Sequence, residues 1–158
     1  MVGLIVIAII LGIVLALVAV LGLNKNPLFE VVTGADVTAT KRLFNFAPVV
    51  HFKLWQRTLI LIAGIAVVGC IIVALIAFKQ SATRLFASSF DLGFLIYLLV
   101  FQQLLPYYCY RFWQQSPEPR SPFQLADSAT ATRHFNERWL RSFGLVLIAG
   151  GATSFFFL

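Results

Sequence analysis

Charge is scarce in this chain: only 11% of its 158 residues are Asp, Glu, Lys or Arg, and six of those are acidic. Soluble globular domains carry about 25%. With 60% of the residues apolar, a water-facing surface cannot be clothed, and a soluble domain is excluded. Cysteine is nearly missing as well. Cys70 and Cys109 both fall inside apolar runs, with no CxxC pair and no disulfide framework, so they read as small buried hydrophobes. There is no GxSxG, no HExxH, no carboxylate pair and no Cys–His arrangement to support hydrolysis or group transfer. A non-catalytic role is expected.

What charge there is leans basic, twelve Lys and Arg giving a net +6. These residues sit at the ends of apolar runs and form no basic cluster interleaved with aromatics, so no nucleic-acid partner is expected. Anionic headgroups are the better partner, each juxtamembrane cation contributing about 1 kcal/mol.

The apolar residues come in four long runs. Val2 to Leu23 has 22 residues without a charge, about 33 Å of helix against a hydrocarbon core of about 30 Å. It has no basic n-region and no A-x-A site, which favours a retained helix over a signal peptide. Thr58 to Phe78 is bracketed by Trp55, Arg57 and Lys79, the aromatic and basic flanks of an interfacial anchor. The third run begins near Phe90, with Asp91 placed at the positive end of the helix dipole, and ends at Tyr110 to Trp113; Pro106 predicts a kink near its last turns. The fourth, Phe143 to Leu158, is short. The fold class is an all-α integral membrane protein, a single four-helix membrane domain over residues 1–158. Outside helix ends, no predicted span holds an Asp, Glu, Lys, Arg or His, which argues against an ion-coupled pump.

The connections 24–57 and 111–142 each carry five Lys and Arg, and 79–90 carries two. The positive-inside rule puts the two long connections in the cytoplasm and both termini on the opposite side. The long connections also resemble each other. Ala35-Asp36 to Phe44-Asn45 and Ala126-Asp127 to Phe135-Asn136 both read AD, TAT, a basic residue, FN, and each is followed by a Trp-x-Arg step into Leu-Ile-Ala-Gly. This pattern predicts a duplication, repeats 1–78 and 90–158, as two parallel helix pairs related by an axis along the membrane normal. Asp36 and Asp127 are expected helix N-caps opening short interfacial helices. Pro48 is expected to end the first of these and to start a second helix at N1. In the second half no Pro or Gly separates Phe123 from Phe143, so surface and membrane helices read as continuous. Ser116 to Pro122, with three prolines, reads as a mobile linker.

Three groups of residues are candidates for function. Small residues recur every fourth position as Ala8, Gly12 and Ala16, and as Ala66, Cys70 and Ala74, suited to close helix packing within the unit or against a partner. Gln102 and Gln103, with the aromatics Tyr97 and Tyr107, place amides at membrane depth, as polar glue between helices or as a grip on a quinone or lipid. His51 and His134 occupy corresponding places in the two halves, where they touch headgroups or, as a facing pair, ligate haem or a metal. The leading expectation is a structural or assembly subunit of a larger membrane complex, with membrane lipids and other integral membrane subunits as partners. A hydrophobic-ligand module and a histidine-ligated redox protein are the alternatives.

Overall fold

The computed structural model describes residues 1–116 and 122–158. In chain order the elements are α1 (Val2–Lys25), β1 (Phe29–Val31), α2 (Val37–His51), α3 (Leu54–Lys79), α4 (Thr83–Ile96), a π-helical segment (Tyr97–Leu104), α5 (Leu105–Gln115), β2 (Phe123–Leu125), α6 (Ser128–Ser154) and a closing 3-10 turn (Phe155–Phe157). Four helical runs are long and apolar enough to cross a membrane: Val2–Lys25, Leu54–Lys79, Thr83–Gln115 and Ser128–Phe157. Of the linker expected over Ser116 to Pro122, residues 117–121 lie outside the described residues.

These four runs form a row. The α1 helix packs along α6, α6 touches α4 and the π segment, and α4 packs along α3. Helices α1 and α3 therefore stand at the two ends, and both turn long apolar side chains outward, among them Ile7, Ile10 and Leu17 on α1 and Ile65, Ile72 and Leu75 on α3. Small residues set the two tightest crossings. A Cβ on Gly12 would lie 2.6 Å from the Gly144 carbonyl oxygen, and one on Gly144 would lie 2.7 Å from the Gly12 oxygen and 2.9 Å from the Ala16 nitrogen. The two backbones touch, as helices can do only where side chains are missing. On the other side of the row, a Cβ on Gly93 would lie 2.8 Å from the Cys70 Cβ.

The best-packed part of the molecule is not between the spans. At one end of the row the two long connections meet, β1 pairing antiparallel with β2 in the register Phe29 with Leu125 and Val31 with Phe123. Under this ribbon Phe44, Cys109, Tyr110, Trp113, Phe123 and Ala131 are buried together. Phe29 stacks on Phe44 at 4.3 Å, and Trp113 meets Phe123 edge-on at 5.0 Å. A ribbon of two three-residue strands is not stable alone; the aromatic core beneath it supplies the burial. Both caps form as expected, Asp36 accepting from the Thr38 N–H at 2.9 Å and Asp127 from the Thr130 N–H at 3.3 Å. Bonding to Thr130 holds the exposed Asp127 carboxyl below its ordinary range.

Several boundaries differ from the sequence expectation. Pro48 does not end α2, which runs on to His51; the break falls at Phe52 and Lys53. A proline inside a helix leaves the carbonyl four residues back without its donor. That carbonyl, on Phe44, accepts the Trp113 indole N–H at 3.0 Å instead. The third helix starts at Thr83, not near Phe90, because the turn after α3 is tight. The Ala82 N–H reaches the Ala77 carbonyl at 2.9 Å and the Ser81 N–H the Phe78 carbonyl at 3.2 Å, a Schellman closure with Ser81 in the left-handed position at φ 56°. Asp91 is thus inside α4 and not at its positive end.

At Pro106, where the sequence predicts a kink, the helix continues, and a π segment lies immediately before the proline. In the fourth run, surface and apolar stretches are one helix, as the lack of Pro and Gly implied. Charged residues ended the apolar runs without ending the helices. Asp91, His134, Glu137, Arg138 and Arg141 consequently lie within helical runs counted as spans, and uncharged spans no longer argue against ion-coupled transport.

Candidate functional site

The polar residues of α6 recur at helical spacing. His134, Arg138 and Arg141 lie at i, i+4 and i+7, which puts them on one face, and that face meets the π segment and the end of α1. Here the chain builds a hydrogen-bonded network. His134 Nδ1 is 2.5 Å from the Asn26 carbonyl oxygen, so Nδ1 carries the proton and donates. Its Nε2 then accepts from Arg138 Nε at 2.9 Å. With both ring nitrogens engaged, His134 offers no free lone pair to a metal while these bonds stand.

Arg138 has a second role. Its Nη1 donates to the Gln102 carbonyl at 2.9 Å. Gln102 lies near the end of the π segment, whose last ring runs from the Leu105 N–H to the Val100 carbonyl five residues back; Pro106 has no N–H to extend that ladder, and the Gln102 carbonyl at this level is taken by Arg138. In both places a proline interrupts a helical ladder and a side chain from another element takes a nearby carbonyl, Trp113 at Phe44 and Arg138 at Gln102. The Gln102 amide continues the network, its Oε1 accepting from Arg141 Nη2 at 2.8 Å and its Nε2 donating to the Tyr97 hydroxyl at 2.9 Å. Gln103 is buried, its Nε2 within 2.8 Å of the Arg138 carbonyl and 2.5 Å of Ser142 Oγ. Farther along α6, Thr153 Oγ1 lies 2.6 Å from Asp91 Oδ2, tying α6 to α4. Three buried atoms at these sites, Asp91 Oδ1, Glu137 Oε2 and Arg141 Nε, have no partner among the described residues.

The amides therefore bridge helices. Of the four residues singled out for a hydrophobic ligand, Tyr97 alone lines an apolar groove of about 590 Å³ between α3 and α4 whose walls include Phe86, Phe90, Phe94, Cys70 and Ile71. Gln103 and Tyr107 line a smaller cleft between α5 and α6, about 300 Å³, beside Trp139. The structure gives the two histidines different surroundings: His51 is exposed and stacks on Phe112 at 5.3 Å, while His134 is buried in the network. Among the described residues no three His, Cys, Asp or Glu side chains converge.

The small-residue stripes are used unequally. Gly12 and Ala16 lie against Gly144, and Cys70 lies against Gly93. Ala66 borders an outward cleft of about 340 Å³ with Gly69, Val73, Ser88 and Leu92, and nothing lies within 4 Å of where a Gly69 Cβ would be.

Sequence reasoning missed Arg138, Asn26 and Ser142. The signal for Arg138 was present in the i, i+4, i+7 spacing behind the Asp127 cap; Asn26 and Ser142 carried none, since their roles depend on which helices become neighbours. Comparison with known protein families, curated proteins and solved structures returns no match.

Proposed function

We propose that this chain is a multi-pass membrane protein acting as a structural or assembly subunit of a larger membrane complex, with its two long connections forming one cytoplasmic headpiece. The observation that carries this reading is the contrast between the inside and the outside of the row. Inside, His134, Arg138 and Arg141 of α6 bond to one another, to the π segment and to the chain after α1, and Asp91 Oδ1, Glu137 Oε2 and Arg141 Nε are the buried atoms left without a partner among the described residues. Outside, α3 and α4 present the small-residue cleft around Gly69 that nothing among the described residues fills, the geometry by which one helix admits another in lipid. The basic count of the two long connections supports their cytoplasmic placement.

The duplication belongs to the same proposal. Matching the repeats pairs α1 with α4 and α3 with α6, so the α1–α6 crossing corresponds to the α4–α3 crossing, and these two are the closest in the row. A twofold along the membrane normal would also set α1 beside α3, and these stand at opposite ends, so on this reading the repeats are not exchanged about an axis. The antiparallel ribbon joins the two equivalent connections.

Gly69→Leu is the direct test. Its side chain enters open space, and leucine is a better helix former than glycine, so thermal stability in detergent should hold or rise. In native mass spectrometry of gently extracted protein, wild type should carry a stoichiometric protein partner, and the variant should lose it. A monomeric wild type retaining an apolar small molecule would favour the second reading, a hydrophobic-ligand module using the α3–α4 groove lined by Phe86, Phe90, Phe94 and Tyr97.

A further inference from the structure

Where α2 breaks from α3, a cleft of about 410 Å³ opens against α5, lined by His51, Lys53, Gln56, Arg111 and Gln115 together with the aromatics Phe52, Trp55, Tyr107, Tyr108 and Phe112. Its composition is one-sided. Two cations, a histidine and two amides converge, and among the described residues no carboxylate is in the lining. The aromatic walls are held in place by packing: Phe52 and Trp55 both meet Tyr108 edge-on, at 6.0 and 5.9 Å, and His51 stacks on Phe112. The cleft also lies at the start of α3, a 26-residue helix whose positive dipole end favours an anion.

Its height in the molecule narrows the ligand further. Leu54, the first residue of the α3 span, is directly beside it, so on the membrane reading proposed above, on which this inference rests, the cleft sits at the water–hydrocarbon boundary. Tyr and Trp are the side chains enriched there. We propose that this cleft binds the phosphate-bearing headgroup of an anionic membrane lipid, with Lys53 and Arg111 contacting the phosphate, the amides of Gln56 and Gln115 bonding its oxygens, and the aromatic wall seating the glycerol end.

The experiment uses the full chain in nanodiscs of phosphatidylcholine containing a minor fraction of phosphatidylglycerol, with the lipids that stay bound counted by native mass spectrometry. Wild type should retain phosphatidylglycerol in preference to phosphatidylcholine. Lys53→Gln with Arg111→Gln should lower that preference about thirty-fold, two cations each contributing roughly fivefold. The control is Lys41→Gln with Arg42→Gln, which removes the same charge from the exposed face of α2 and should leave the preference within about twofold. Equal losses in the two double variants would mean diffuse surface attraction and would overturn the site, as would an unchanged preference in the cleft variant. If millimolar inorganic phosphate displaces the bound lipid completely, the cleft is a free-phosphate site and the lipid assignment fails. A chain that enters the discs but shows no preference refutes this inference alone, whereas a chain that does not enter them refutes the membrane reading beneath it.

Discussion

Replacing Gly144 by valine should cost about 3 kcal/mol, near the upper end for overpacking, and should separate α1 from the rest of the row. The added Cβ would lie 2.7 Å from one backbone atom of α1 and 2.9 Å from another. Backbone cannot rotate away as a side chain can, so the two helices must move apart. Once apart, they lose the dispersion contacts that hold helices together in an apolar solvent. Gly12→Val should behave alike, because its Cβ would meet the same crossing from the other side. Gly150→Val, with nothing within 4 Å of the new Cβ, is the matched control and should change stability by less than about 0.5 kcal/mol. Reversible unfolding in mixed detergent micelles reads all three. Equal stability of the Gly144 and Gly150 variants would mean that the α1–α6 crossing is looser than described.

The second large effect concerns the network. Arg138→Met keeps the aliphatic stem but removes both donors, leaving the Gln102 carbonyl and His134 Nε2 without their partners. Each unsatisfied buried acceptor costs about 1–3 kcal/mol, so the sum should fall at about 2–6 kcal/mol. Part of that loss should be recoverable at a residue Arg138 does not touch through its side chain. Pro106→Ala restores a backbone N–H at the end of the π segment, and in the Arg138→Met background a return of this turn to the four-residue α ladder should bring that N–H to the Gln102 carbonyl and supply the missing bond. A double-mutant cycle should therefore show favourable coupling of about 1 kcal/mol. Strict additivity would show that the proline and the arginine are unrelated, and the account of the freed carbonyl would fall.

These two predictions also mark the limits of what the residues alone disclosed. Four apolar runs, both aspartate caps and the continuity of α6 were legible because each depends on residues near in sequence: hydropathy, an Asp before a helix, the lack of Pro and Gly. The small-residue stripes were legible too, and Gly12, Ala16 and Cys70 do sit at helix crossings. Pro48 was misread for one reason. Local chemistry says that a proline deprives a carbonyl of its donor, but only the tertiary fold says whether another group replaces it. Trp113 replaces it at Phe44, so α2 continues to His51. The β1–β2 ribbon left no local trace, being three residues from each of two distant connections. The charges of α6 were assigned to a surface because they interrupt hydropathy, while the helix carries them inward against the π segment.

The headpiece and the row together make a geometric claim about sidedness, and cysteine accessibility in sealed vesicles measures it most directly. Thr38 and Ala129 are exposed residues in the two long connections, and Ser81 is exposed in the short turn at the other end of α3. Cysteines introduced singly at these positions in a Cys70→Ala background, with the fully buried Cys109 retained, should react with an impermeant maleimide in two classes. Positions 38 and 129 should label from one side of the membrane and position 81 from the other. Labelling of 38 and 129 from opposite sides, or of all three from the same side, would contradict four spans with a shared headpiece.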